Sequence, residues 1–227
     1  PLIILADANM DYAVAAAAFG AFLHQGQICI AVGRVIVEQP IAEEFAARFA
    51  KKAASLPVGD PRKRETVIGP LINDEAVRKV DGHVEDAVSK GARLLTGGTY
   101  EGRVYRPTVL ADVRKDMQVY FEETFGPVAP IIAVKDVKEA LEVANDTLYG
   151  LSAGVVTQDL ENAIYLAEGL DAGMVHVNDS SIDAEASVPF GGIKASGQGR
   201  EGGHYSLESM TDVKWVTIQK TKRAYPF

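Results

Sequence analysis

VAPIIAVKDVKEALEVANDTLYGLSAGVVTQDLENAIYLAEGLDAGMVHV, residues 128–177, is the stretch that decides the fold. It opens on an apolar, β-branched run, Val128–Val134, which reads as a strand. Asp136-Val-Lys-Glu139 then has the spacing of a capping box. The helix it opens turns Ala140, Leu141 and Ala144 inward. Residues 151–156 read as a second strand, 159–170 as a second helix and 173–177 as a third strand. Strands alternating with helices of about a dozen residues imply crossover units and a mostly parallel sheet.

The same grammar extends upstream. Residues 2–5 form a short apolar strand, and Asp7-Ala-Asn-Met-Asp11 offers capping side chains. Residues 12–23 are alanine-rich and read as a buried helix. Arg34-Val-Ile-Val-Glu38 is a strand. Pro40 opens a helix whose Ile41, Phe45 and Phe49 recur at i, i+4 and i+8. A loop rich in proline, glycine and charge spans 57–70. The next helix starts near Asn73, carries Ala76, Val80, Val84 and Ala87 on one face, and ends at Gly91. Downstream, 191–203 is a long glycine-rich loop. Residues 213–219, with Val213, Trp215, Val216 and Ile218, read as a terminal strand that needs a partner here or in another subunit. The fold class is therefore α/β, a mostly parallel open sheet with flanking helices.

Composition narrows the function. The 227 residues suffice for one large domain or two small ones, and 47% are hydrophobic. The net charge of −8, from 23 basic and 31 acidic side chains, argues against non-specific binding to nucleic acid or anionic membranes. No apolar run approaches the roughly 18 residues of a membrane span, and no basic-then-apolar leader is visible. The chain begins at Pro1 without a methionine, which suggests part of a longer protein. A single cysteine suits a reducing cytosol.

That cysteine, Cys29, lies in Phe22-Leu-His-Gln-Gly-Gln-Ile-Cys29-Ile-Ala, near a helix-to-loop junction. A lone cysteine is either inert packing or a nucleophile, and its spacing alone leaves both open. Gly26 and Gln27 leave little bulk before it, so a ligand could approach the backbone there. The four histidines, His24, His83, His176 and His204, show no metal-ligand spacing. Gly197-Gln-Gly199-Arg-Glu-Gly202 matches the dinucleotide fingerprint but lacks the preceding strand and surrounding βαβ unit, so the reading fails. Taken singly, Glu122 and Glu123 are a solvated edge, Phe125 and Phe190 are core, and Glu201 is a surface charge.

Four segments together resemble the aldehyde dehydrogenase superfamily. They are Phe22-x-x-Gln25-Gly26-Gln27-x-Cys29-x-Ala31, Ile68-Gly-Pro-Leu-Ile, Glu123-Thr-Phe125-Gly-Pro, and Pro189-Phe-Gly-Gly-Ile-Lys-Ala-Ser-Gly. They stand in the family's order and spacing over essentially the whole chain. The wording around Cys29 and His176-Val-Asn is most similar to the benzaldehyde and vanillin dehydrogenase branch.

The resemblance implies the catalytic half of an NAD(P)-dependent enzyme that oxidises an aromatic or aliphatic aldehyde through a cysteine thiohemiacetal and thioester. It implies Cys29 as nucleophile, Glu123 on the nicotinamide ribose and Phe125 at the nicotinamide end. Phe22, Ile28, Ile30 and Phe190 would line an apolar aldehyde tunnel. Glu201 would assist proton relay, and Asn178 matches an active-site asparagine. Residues 1–210 would be the catalytic domain. Residues 211–227 would be an arm whose strand 213–219 joins a homo-oligomer. The domain binding most of the NAD or NADP, the water-activating glutamate and the oxyanion-hole asparagine are expected upstream of Pro1. Two other classes remain: a stand-alone cysteine esterase or acyl-transfer module, and an inactive oligomerisation fragment. Ester hydrolysis by the isolated chain marks the first; a thiol no more reactive than an ordinary exposed one marks the second.

Overall fold

A computed structural model describes all residues, 1–227. In chain order the elements are β1 (Leu2–Ile4), α1 (Met10–Phe22), β2 (Val35–Glu38), α2 (Gln39–Ala54), α3 (Asp74–Ser89), β3 (Arg93–Thr96), β4 (Tyr100–Glu101), β5 (Val104–Tyr105) and β6 (Thr108–Ala111). Then follow α4 (Gln118–Phe121), β7 (Val128–Val134), α5 (Val137–Asn145), β8 (Tyr149–Gly150), β9 (Ser152–Val156), α6 (Leu160–Gly169), β10 (Met174–Val177), β11 (Ile193–Lys194) and α7 (Gly203–Ser209).

Seven strands form one sheet in the order β10-β9-β1-β2-β7-β6-β3. Every neighbouring pair is parallel except β3 with β6, which is antiparallel. The alternation of side chains along each strand assigns the two faces. Ile3, Ile36, Ile132 and Val155 face α3, α5 and α6 in one buried cluster. Leu2, Ile4, Val35, Val37 and Ile131 face α1 and α2 in another. Both faces are covered, which is why these strands read as unbroken apolar runs rather than as alternation.

The helix starts follow the sequence closely. Asn9, Asn73, Asp136 and Asp159 are N-caps, each accepting a backbone N–H of the first turn. In α5 the Glu139 carboxylate also accepts from the Lys135 N–H at 2.7 Å, just outside the helix. Gly91 takes φ +100° just past α3, where the chain must turn out of the helix. Ala140 is buried as expected, with Val143 and Ala144, while Leu141 is half-buried.

Several features differ from the sequence reading. The sheet strand β6, the antiparallel edge strand β3 and the short pairs β4–β5 and β8–β11 stand where no strand is expected, and the short helices α4 and α7 where no helix is. Residues 213–219 form no strand within this chain: they join no ladder and are all exposed. An extended segment gains a ladder only from a partner, and none of the chain's own sheet edges supplies one.

Candidate active site

Cys29 sits in the loop between α1 and β2, and its thiol is exposed. The loop's path is fixed from several sides. His24, Gln25 and Gly26 take φ +47°, +59° and +68°, a left-handed turn that reverses the chain straight after α1. Ile28 to Ala31 close a turn through the Ala31 N–H on the Ile28 carbonyl at 3.0 Å. The Ser181 hydroxyl donates to the Ile30 carbonyl at 2.7 Å, and the Val32 N–H donates to the Gly20 carbonyl at 2.9 Å. No hydrogen bond of the structure uses the Cys29 N–H. An exposed sulfur thus stands beside its own unspent backbone donor.

Two of the other motif segments are brought to this loop. The Gln27 side-chain oxygen accepts from the Ile72 N–H at 3.0 Å. With the Gln25 amide turned so that both its ends are satisfied, its oxygen accepts from the Gly69 N–H at 3.0 Å. These two bonds tie the Ile68-Gly-Pro-Leu-Ile segment to the cysteine loop. Gly26 meets the Glu123-Thr-Phe-Gly-Pro segment directly: a Cβ on Gly26 would lie 2.3 Å from the Gly126 carbonyl oxygen. Gly126 is equally crowded, because a Cβ there would lie 2.3 Å from Val80 Cγ2 of α3. The glycines of both motifs are there so that two backbones touch.

A cavity of about 290 Å³ opens beside the thiol. Cys29, Arg34, Tyr120, Glu123, Thr124 and Ser196 are among its walls. Pro1, Gly33, Leu151 and Ala172 also line it, each just before a parallel strand. The cavity therefore lies at the amino ends of the strands. Open parallel sheets ordinarily bind ligands at the carboxyl ends. A smaller adjoining cleft of about 50 Å³ is lined by Ile28, Glu123, Thr124 and Phe125 among others. Glu123 and Thr124 belong to both.

Burial raises the Glu123 carboxyl above the ordinary glutamate range, and Lys79 opposes that shift. The Lys79 ammonium donates to the Glu123 carbonyl at 2.5 Å. Phe125 holds φ +54° and is 40% exposed, so its ring is presented at the edge of the smaller cleft. Ile28 is half-buried and lines the smaller cleft, whereas Ile30, also expected at the substrate, is buried and lines neither cavity.

The remaining expected residues stand apart. Phe22 is 1% exposed, and its ring stacks on Phe49 at 5.7 Å in the core between α1 and α2. It lines neither cavity; as the last residue of α1 it belongs to the helix's inner face. Phe190 and Glu201 pair through two backbone hydrogen bonds of 2.8 Å each, at the base of the glycine-rich loop. Asn178 takes φ +55° at the end of β10, and its side-chain oxygen accepts from the Thr157 N–H at 3.1 Å. Asn178, Phe190 and Glu201 line neither cavity. Sequence reasoning missed Ser181 and Arg34, whose roles come from partners more than a hundred residues away. No local pattern signals such contacts.

No group of three or more histidine, cysteine or acidic side chains is placed to hold a metal ion, and no helix is long and apolar enough to cross a membrane. Residues 1–216 match the aldehyde dehydrogenase family. The chain belongs to that family.

Its relatives in the aldehyde dehydrogenase family include aromatic aldehyde dehydrogenases. Benzaldehyde dehydrogenase [NAD(+)] of Pseudomonas putida is 45% identical over 226 residues, covering 99% of this chain and 46% of its own length. Vanillin dehydrogenase of Pseudomonas fluorescens is 43% identical, covering 100% of this chain and 47% of its own length. Among solved structures, a salicylaldehyde dehydrogenase from Pseudomonas putida G7 complexed with salicylaldehyde superposes with a TM-score of 0.97 at 42% identity. It covers 100% of this chain and 47% of that one. The chain thus spans about half the length of the family members it matches.

Proposed function

We propose that this chain is the catalytic region of an NAD(P)-dependent dehydrogenase that oxidises an aromatic aldehyde to its carboxylic acid. One observation carries the reading. The exposed Cys29 thiol and its unspent N–H share a cavity with the Glu123 carboxylate. Relatives named for benzaldehyde, salicylaldehyde and vanillin support the aromatic class.

In this reading the Cys29 thiolate adds to the carbonyl carbon and forms a thiohemiacetal. The oxygen gains negative charge in that step, and the Cys29 N–H is a fixed donor beside it. Removing two electrons and a proton turns the thiohemiacetal into a thioester, and water then releases the acid. The bound nicotinamide dinucleotide supplies the two-electron oxidant. Glu123 and Phe125 suit its ribose and ring, because they present an acceptor and an aromatic face at adjoining clefts. Ile28 gives apolar surface to the smaller cleft, with Ile30 and Phe22 buried in the core next to the cysteine loop, while Phe190 at the base of the glycine-rich loop stands outside both cavities. Asn178 and Glu201 act as outer members that hold neighbouring loops. The glutamate expected upstream of Pro1 supplies the base. The enzyme works in the cytoplasm as a homo-oligomer joined through 213–219.

The test is the Cys29→Ala variant of the whole protein that carries this chain. Aldehyde-dependent reduction of NAD or NADP falls by about a thousandfold or more, as for loss of a covalent nucleophile. Binding of the dinucleotide, followed by fluorescence, is retained. Unchanged turnover would sink the reading.

A further inference from the structure

We propose that His83 is a positioning residue that holds the 122–126 loop on α3 and so fixes where the Glu123 carboxylate stands in the cavity. This rests on the role given to Glu123 above.

The His83 side chain is only 5% exposed. It lies on the inner face of α3 between Val80 and Val84, where an apolar side chain would pack without further demands. A buried imidazole needs hydrogen-bond partners. His83 finds one in the loop, where Nδ1 is 3.0 Å from Thr124 Oγ1, and Nε2 lies 3.4 Å from a Glu122 carboxylate oxygen, an electrostatic contact rather than a short hydrogen bond. A neutral ring suits the set: with the proton on Nε2, toward Glu122, Nδ1 accepts from the Thr124 hydroxyl. Burial lowers the His83 pKa and Lys79 adds to this, while Glu122 and Asp86 oppose it. The net direction favours the neutral ring this arrangement requires.

The same helix face touches the loop twice more. Lys79 donates to the Glu123 carbonyl, and Val80 fills the space under Gly126. Residues 79, 80 and 83 thus grip the loop at 122, 123, 124 and 126. The Glu123 side chain is left out of every one of these bonds. Its carboxylate accepts no hydrogen bond, and the residue keeps solvent access. The loop is tied at each neighbour of Glu123 so that an unspent acceptor faces the cavity.

The experiment measures the KM for the dinucleotide, the KM for the aldehyde, and the rate of Cys29 alkylation by iodoacetamide, all in the whole protein. His83→Phe keeps a planar ring of similar size, and Thr124→Val keeps the shape of its partner. Each is expected to raise the dinucleotide KM about tenfold, the scale of one or two lost hydrogen bonds. The aldehyde KM and the alkylation rate stay as they are. Glu123→Gln raises the dinucleotide KM at least as far. The double variant His83→Phe/Glu123→Gln is no worse than Glu123→Gln alone, because His83 acts through Glu123. Losses that multiply in the double variant overturn the proposal. So does an unchanged KM in His83→Phe when Glu123→Gln raises it. An unchanged KM in Glu123→Gln itself means that the role given to Glu123 is wrong, and the proposal falls with it. If His83→Phe does not fold, Thr124→Val decides by the same criteria.

Discussion

At Gly26 the backbone holds φ +68°, and any Cβ would collide with the Gly126 carbonyl. Gly26→Ala therefore meets two penalties, left-handed strain and a clash with a backbone that cannot turn aside. It should lower stability by about 2–3 kcal/mol in urea unfolding, and it should change the Cys29 alkylation rate, because the clash moves the loop that carries the thiol. Glu123 tests a different property. Its folded pKa lies above the unfolded one, so its contribution favours the fold below the ordinary glutamate pKa. That contribution is lost as pH rises through the raised value. At neutral pH the ionised carboxylate is a net cost. Glu123→Gln should then melt slightly higher than the parent at pH 7, with the difference vanishing near pH 4 by thermal denaturation. Cys29 and Glu123, which the structure brings to one cavity, were singled out in the sequence only by their resemblance to family motifs. His83 was not, because a histidine on an amphipathic helix carries no mark of the loop above it.

The helices were the most legible elements, since a repeating buried face and a capping side chain are both local. Ile41, Phe45 and Phe49 gave α2, and Phe45 and Phe49 are indeed fully buried and stacked at 5.3 Å. The strand β3 was hidden because Arg93–Thr96 is a four-residue, largely exposed edge whose two leucines are adjacent and show no alternation. Its place is set by β6, not by its own pattern. Arg34 joins two elements in a way no periodicity announces. From the foot of β2 its guanidinium donates to the carbonyls of Val143, Ala144 and Asp146 at 3.0–3.1 Å, closing the carboxyl end of α5. A cation there suits the helix dipole, and the group also lies 5.4 Å from the Tyr120 ring centre. Arg34→Met keeps most of the volume but leaves those carbonyls without their donors. It should cost about 2–4 kcal/mol in chemical denaturation, with α5 the first segment to lose amide-exchange protection.

For the whole molecule, α/β alternation was readable from 128–177, and the seven-stranded sheet bears it out. Which rim carries the site was not readable, because that depends on how loops from four distant segments converge. The tail is the part that one chain leaves open. Val213, Trp215 and Ile218 are at least 82% exposed, a stretch of apolar surface that suits contact with another copy. Removing residues 211–227 from the whole protein should shift it to a smaller assembly in sedimentation velocity, with the melting of residues 1–210 little changed.

The meeting of Gly26 with Gly126 has one more consequence. Side chains have rotamers, and heat populates them; two touching backbones have none to populate. The thiol and the carboxylate ride on segments joined by such a contact, and α3 supports the joint from below. The backbones that carry them therefore cannot shift independently while α3 stays folded: a displacement of one loop must be followed by the other.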